Sequence, residues 1–219
     1  MFQIYFIRHG QTDWNVIKKF QGQTDIPLNS MGRNQAQVAA NYLKQKSFDV
    51  MYSSDLSRAA ETADIINTHH NLPIERETRL RERSFGRFEG HTIAETREKF
   101  PELRQGYEND KLNFTIPDGE SRLEFIQRVG IMLNDIYENH PNQTVAVVSH
   151  GGVLGAMVSH IVSQKLNFDS PQFVPLFSVQ NCSVSQLEYA NGQWLVQSLN
   201  ETHHLKDLSA QDKMADDYA

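Results

Sequence analysis

Two histidines stand where apolar runs end. Phe2-Gln3-Ile4-Tyr5-Phe6-Ile7 leads into Arg8-His9-Gly10, and Val145-Ala146-Val147-Val148 leads into Ser149-His150-Gly151-Gly152. Each run suits a buried strand, and open α/β sheets bind ligands just beyond the carboxyl ends of their strands, so both histidines can face one pocket. A histidine titrates at about 6.5, which lets it be neutral and nucleophilic at physiological pH, and a neighbouring guanidinium favours that neutral form. Gly10, Thr12 and Asn15 follow His9 at once. Small, hydroxyl and amide residues in a loop can wrap an anion with backbone and side-chain donors. Arg8 suits the same anion, because its planar fork matches a tetrahedral oxyanion better than a lysine point charge does. The plainer alternative makes His9 a satisfied core residue and Arg8 half of a surface ion pair. A second cation comes from Ser53-Ser54-Asp55-Leu56-Ser57-Arg58-Ala59-Ala60-Glu61-Thr62, where a strand turns into a helix with Arg58 in its first turn. The helix dipole disfavours a cation there, so Arg58 requires a compensating anion: Asp55, Glu61 or a bound ligand.

The elements that must position these residues follow from the hydrophobic pattern. Apolar runs alternate with segments of helical spacing, which predicts an α/β fold: a three-layer α/β/α sandwich with a mostly parallel central sheet. Strands are expected over 2–7, 48–53, 144–149, 182–189 and 193–199, with an edge strand near 73–77. Ser30 is expected to cap a helix through about Lys46, and Ser54 or Asp55 one through about His69. Asp118 to Ser121 offer caps for a helix to about Asn139, and Gly151-Gly152 open another. The stretch from Arg87 to Pro117, broken by Gly90, Pro101, Gly106 and Pro117, reads as a small cap insertion, and such insertions often cover active sites.

Composition frames the chemistry. The 219 residues are 39% hydrophobic and 22% charged, ordinary for a globular protein, and predict one domain over 1–205 that buries roughly 70% of its unfolded surface. Cys182 is the only cysteine, so no internal disulfide forms and a cytoplasmic location is expected. The apolar start is too short for a membrane span and lacks the basic-then-apolar order of a signal peptide. A formal net charge of −6 argues against a nucleic-acid partner but leaves room for a small anion held by a local arginine cluster. The adjacent pairs His69-His70 and His203-His204 diverge in direction and are expected at the surface rather than on a metal. Residues 206–219, carrying Asp207, Asp212, Asp216 and Asp217 with little apolar periodicity, are expected to form a mobile acidic tail.

Arg8-His9-Gly10-Gln11-Thr12-Asp13-Trp14-Asn15 resembles the opening motif of the histidine phosphatase superfamily, also called phosphoglycerate mutase-like. Gln21-Gly22, Asp25-Ile26-Pro27-Leu28-Asn29 and Gly32 are similar to the segment that follows it. Ser53 to Thr62 looks like the second motif, Leu80-Arg81-Glu82 with Gly86 and Glu89-Gly90 the third, and Ser149-His150-Gly151-Gly152 the fourth. The four motifs come in the family's order and spacing and span nearly the whole chain.

The resemblance implies that His9 takes a phosphoryl group, that water then removes it, and that no metal or cofactor takes part. It implies that Arg8, Arg58 and His150, with Asn15, donate to the phosphoryl oxygens, and that Gln21, Gly22 and Gly151 line the phosphate site. It makes Glu82 the acid that protonates the leaving oxygen and activates water; the plainer reading is a solvated partner of Arg81 or Arg83. Cofactor-dependent mutases follow their acid with Arg-His-Tyr-Gly, whereas Glu82 precedes Arg83-Ser84-Phe85-Gly86, and the longer, basic middle insertion of the mutases is missing. The chain is therefore most similar to the family's broad-specificity phosphatase branch, expected to act on a small phosphorylated metabolite. Mutase-type transfer and a non-catalytic phosphate-binding module are the alternatives. The resemblance leaves a monomer or a homodimer open. Phe88, Phe100, Tyr107 and Phe114 either form a substrate pocket or pack the cap onto the domain.

Overall fold

The computed structural model describes residues 1–165 and 178–208; the expected acidic tail lies outside the described residues apart from Lys206–Leu208. Strand β1 (Phe2–Arg8) is followed by the short helix α1 (Asp13–Val16), α2 (Ser30–Leu43), β2 (Val50–Ser53), α3 (Ser57–Asn67) and β3 (Ile74–Arg76). Helices α4 (Ile93–Lys99) and α5 (Pro101–Asn109) come next, then α6 (Arg122–Asn139), β4 (Thr144–Ser149), α7 (Gly151–Lys165), β5 (Val184–Ala190) and β6 (Gln193–Glu201). The strand order is β3-β2-β4-β1-β5-β6. β3, β2, β4 and β1 are parallel; β5 runs antiparallel to β1, and β6 antiparallel to β5.

Alternation along β1 builds two cores. Phe2, Ile4 and Phe6 pack with Val145 and Val147 of β4 against α6 and α7, while Tyr5 and Ile7 pack with Ala146 and Val148 against α2 and α3. Fully burying each large apolar side chain is worth roughly 1.5–3 kcal/mol, so shifting β1 by one residue would invert both faces at once. That locked register sets Arg8 opposite Ser149. The chain leaves β1 towards β2, beyond β4, and leaves β4 towards β5, beyond β1. Neighbouring strands whose chains depart in opposite directions open a crevice at their carboxyl ends, and both histidines follow at that point.

Several boundaries differ from the sequence reading. The first long helix is capped by Asn29, whose side chain accepts from Gly32 N, rather than by Ser30. The N-cap of α3 is Leu56, with no side-chain cap, because Asp55 is paired with Arg81 and Ser54 turns to His150. β5 starts at Val184 rather than residue 182, since Cys182 has φ +53° and breaks the extended backbone. Ser121 caps α6 in a reciprocal box with Glu124. His69 and His203 are exposed, but His70 packs on Phe48 and His204 stacks on Tyr42, which corrects the expectation of surface pairs.

The 87–117 stretch folds as α4 and α5 after a 3-10 turn at Gly86–Phe88. Phe88, Tyr107 and Ile116 are buried with Phe20, Phe85, Phe100, Leu103 and Phe114 packed on them. The aromatics of this stretch thus form a small core of their own, with Phe20 from the preceding loop packed on it. Among the described residues no helix is long and apolar enough to cross a membrane.

Candidate active site

His9 leaves β1 with its main chain held from three sides. Its N–H donates to Ser149 O (2.8 Å), and its carbonyl accepts from Asn181 Nδ2 (2.9 Å) and Cys182 N (3.3 Å). Nδ1 lies 2.7 Å from Gly10 O. A carbonyl can only accept, so Nδ1 carries the proton and the lone pair of the neutral ring is on Nε2. The residue is 3% exposed. Burial, then Arg58 and Arg8, hold its pKa well below the usual histidine value, while the Gly10 bond opposes them.

His150 follows β4 in the same way, and its ring lies edge-on to that of His9 with centroids 5.1 Å apart. It is fully buried; burial, Arg58, His9 and Arg8 depress its pKa too. Nε2 is 2.9 Å from Ser54 Oγ, whereas Nδ1 is buried with no hydrogen-bond partner.

Arg58 is fully buried in the first turn of α3. Neither expected local anion serves it, since Asp55 pairs with Arg81 and Glu61 with Arg33. Its Nη2 donates to Gly22 O (2.7 Å) and its Nη1 to Thr24 O (2.9 Å), while its buried Nε has no partner. Burial lowers its pKa to about 10 despite the nearby carboxylates of Glu82, Asp25 and Glu89. The loop that holds it is itself tied down by Glu89, whose carboxylate accepts from Gln23 N, Thr24 N and Thr24 Oγ1. Gly22 has φ +52°, and an added Cβ there would lie 2.0 Å from Glu89 Oε1. Arg8, 4% exposed, donates from Nη1 to Val179 O.

Glu82 is 7% exposed, so it is not a solvated partner of Arg81 or Arg83. Its Oε1 accepts from Arg83 N (2.8 Å) and its Oε2 from Gly152 N (3.0 Å). Asn15 and Thr12 form a reciprocal box in which Asn15 Oδ1 accepts from Thr12 N, which turns the amide's Nδ2 end free of that box. Gln21 Oε1 accepts from Thr12 Oγ1, so Gln21 braces the loop, and Gly22 lends its carbonyl to Arg58. An added Cβ at Gly151 would meet the Arg8 side chain at 3.6 Å, an ordinary contact. Arg8, His9, Arg58, Glu82 and His150 are thus brought into one buried, locally cationic cluster; Asn15, Gln21 and Gly22 hold its rim.

Four supporting residues carry no signal of their role in the sequence. At Gly152 an added Cβ would lie 2.1 Å from Glu82 Oε1, so only glycine admits the carboxylate. Asn181 and Cys182 clamp His9 across the β1–β5 boundary, and Ser54 meets His150. Gly152 and Ser54 lie inside recognisable motifs, but their contacts join residues far apart in sequence.

Among the described residues no cluster of three or more His, Cys, Asp or Glu side chains could hold a metal ion. A family model, the histidine phosphatase superfamily (branch 1), matches residues 4–202. The chain is 32% identical over 205 residues to a Bacillus subtilis (strain 168) protein named uncharacterized phosphatase PhoE, covering 94% of this chain and 97% of that one. It is 32% identical over 219 residues to a Proteus mirabilis protein named probable phosphoglycerate mutase GpmB, covering 95% and 97%. The crystal structure of an α-ribazole phosphatase from Shigella flexneri has a TM-score of 0.79 at 26% identity, covering 91% of this chain and 96% of that chain. By sequence and by fold, the chain belongs to branch 1 of the histidine phosphatase superfamily and is an enzyme of the histidine phosphatase type.

Proposed function

We propose that the protein hydrolyses the phosphomonoester of a small metabolite in two displacements, without a metal. In the first, His9 Nε2 attacks phosphorus, the bond to the leaving oxygen breaks, and protonated Glu82 gives that oxygen its proton. In the second, water attacks the phosphohistidine, Glu82 takes the water's proton, and inorganic phosphate leaves with His9 restored. Phosphoryl transfer asks mainly for positioning and for charge stabilisation on the equatorial oxygens. Arg8, Arg58, His150 and Asn15 supply donors for that, with the two guanidinium groups in the place a divalent cation would otherwise take.

The observation that carries this reading is the bond from His9 Nδ1 to Gly10 O beside His150 and Arg58, because it directs the nucleophilic lone pair to Nε2. Residues 1–205 act as one catalytic unit, with the 87–117 insertion as its cap and the leaving group between cap and Glu82. The lone cysteine, Cys182, fits work in the cytoplasm.

Hydrolysis is favoured over mutase transfer by Arg83-Ser84-Phe85-Gly86 after the acid and by the short, aromatic-cored cap. The likeness to a protein named as a probable mutase keeps transfer as the second reading. Incubation with an aryl phosphate separates the readings. Phosphate release that survives a chelator and vanishes in His9→Ala supports hydrolysis; unchanged activity in His9→Ala overturns it. Rapid interconversion of the monophosphoglycerates on adding the bisphosphorylated glycerate would replace hydrolysis with mutase transfer.

A further inference from the structure

Ser54 is fully buried between β2 and α3, yet it caps no helix. Its Oγ accepts from Leu56 N at 3.4 Å and lies 2.9 Å from His150 Nε2. The Leu56 N–H takes one of the hydroxyl's two lone pairs, and the single hydroxyl proton remains available to the imidazole. A neutral imidazole has one N–H. If Nε2 carried it, Nδ1 would turn a lone pair towards any phosphoryl oxygen, and lone pair against oxygen repels.

We propose that Ser54 is a positioning residue that donates its hydroxyl proton to His150 Nε2, so that the ring's own proton sits on Nδ1 and His150 serves as a neutral hydrogen-bond donor to the phosphoryl group. The two ring nitrogens then have separate roles. Nε2 accepts from Ser54, and Nδ1, buried without a protein partner, is the nitrogen left for a ligand. Burial and the charges of Arg58 and Arg8 oppose a second proton on the ring, so the tautomer, and not protonation, supplies the donor. The site thereby holds two neutral histidines in the same tautomer, fixed by different means. A backbone carbonyl holds the proton on His9 Nδ1, and a serine hydroxyl holds off the proton from His150 Nε2.

This inference rests on the reading that His150 meets the phosphoryl group, but its first test does not require turnover. Nitrogen-15 NMR of histidine-labelled, full-length protein at neutral pH, with His150 assigned from the loss of its signals in His150→Gln, reports which ring nitrogen is protonated. The expected result is an Nδ1–H tautomer at His150 in the unaltered protein. It should shift towards Nε2–H in Ser54→Ala and return in Ser54→Thr. Competitive inhibition of aryl phosphate hydrolysis by inorganic phosphate should weaken about tenfold in Ser54→Ala and recover in Ser54→Thr. An Nε2–H or doubly protonated His150 in the unaltered protein, or a tautomer indifferent to Ser54→Ala, overturns the proposal. The unaltered protein decides alone should Ser54→Ala fail to fold. Absence of turnover alongside the expected tautomer would count against the phosphatase reading and leave the role of Ser54 standing.

Discussion

A buried histidine between two guanidinium groups has consequences for both rate and stability. The pKa of His9 is depressed by burial, Arg58 and Arg8, so the free enzyme keeps this imidazole neutral at pH values where an ordinary histidine is protonated. The acid limb of kcat/KM, which reports free-enzyme groups, should fall below 6.5 after correction for the substrate's own ionisation. A limb at or above that value would contradict the arrangement. The stability effect has the same origin. His9 and His150 both have folded-state values below the unfolded 6.5, so as pH drops beneath 6.5 the unfolded chain takes up protons that the native state refuses. Native stability therefore falls through that window. Urea unfolding at about pH 7.5 and about pH 5.5 should show a smaller loss in His150→Gln than in the unaltered protein. At Arg58 the fork itself matters, because one side chain holds the Gly22 and Thr24 carbonyls and still offers Nε. Arg58→Lys keeps the charge but not that geometry, and kcat/KM should drop about 100-fold; parity with arginine would mean that charge alone suffices.

Elements set the second scale, where a helix start and a loop place Glu82 and the buried Arg58. The first turn of α7 donates Gly152 N to Glu82 Oε2, and its missing side chain admits Oε1. Gly152→Ala should displace Glu82 and lower kcat by about 10- to 100-fold for an alkyl phosphate, whose leaving oxygen needs a proton. It should act less on an aryl phosphate that leaves as a stabilised anion. An equal loss for both would mean that the substitution damages the site generally rather than the acid. Much at this scale is legible in the sequence. The apolar runs of β1 and β4 and a cap within Asp118 to Ser121 are local patterns, and the structure follows them, with Ser121 as the N-cap. Ser54 and Asp55 mislead as caps because each has a distant partner, His150 and Arg81, that outcompetes the local helix end. The Asn181 clamp on His9 is illegible for the same reason, since only the pairing of β5 with β1 brings them together.

At the scale of the molecule, the topology does what no single motif can. Parallel pairing of β1 with β4 in a fixed register sets two strand ends side by side, at the point in the strand order where their chains depart in opposite directions. An acidic chain of net charge −6 thereby holds a locally cationic cluster around Arg8 and Arg58. The 87–117 stretch spends its aromatics on a small core of its own, so irregularly spaced aromatics do not reveal a substrate pocket. The proposed hydrolysis turns on His9 Nε2 carrying the phosphoryl group between the two displacements. Rapid acid-free denaturation of the enzyme during turnover of a radiolabelled phosphomonoester, followed by peptide mapping, tests it most directly. The expected result is base-stable, acid-labile label on His9 that is absent from His9→Ala; turnover with no protein-bound label, or label on another residue, would contradict it.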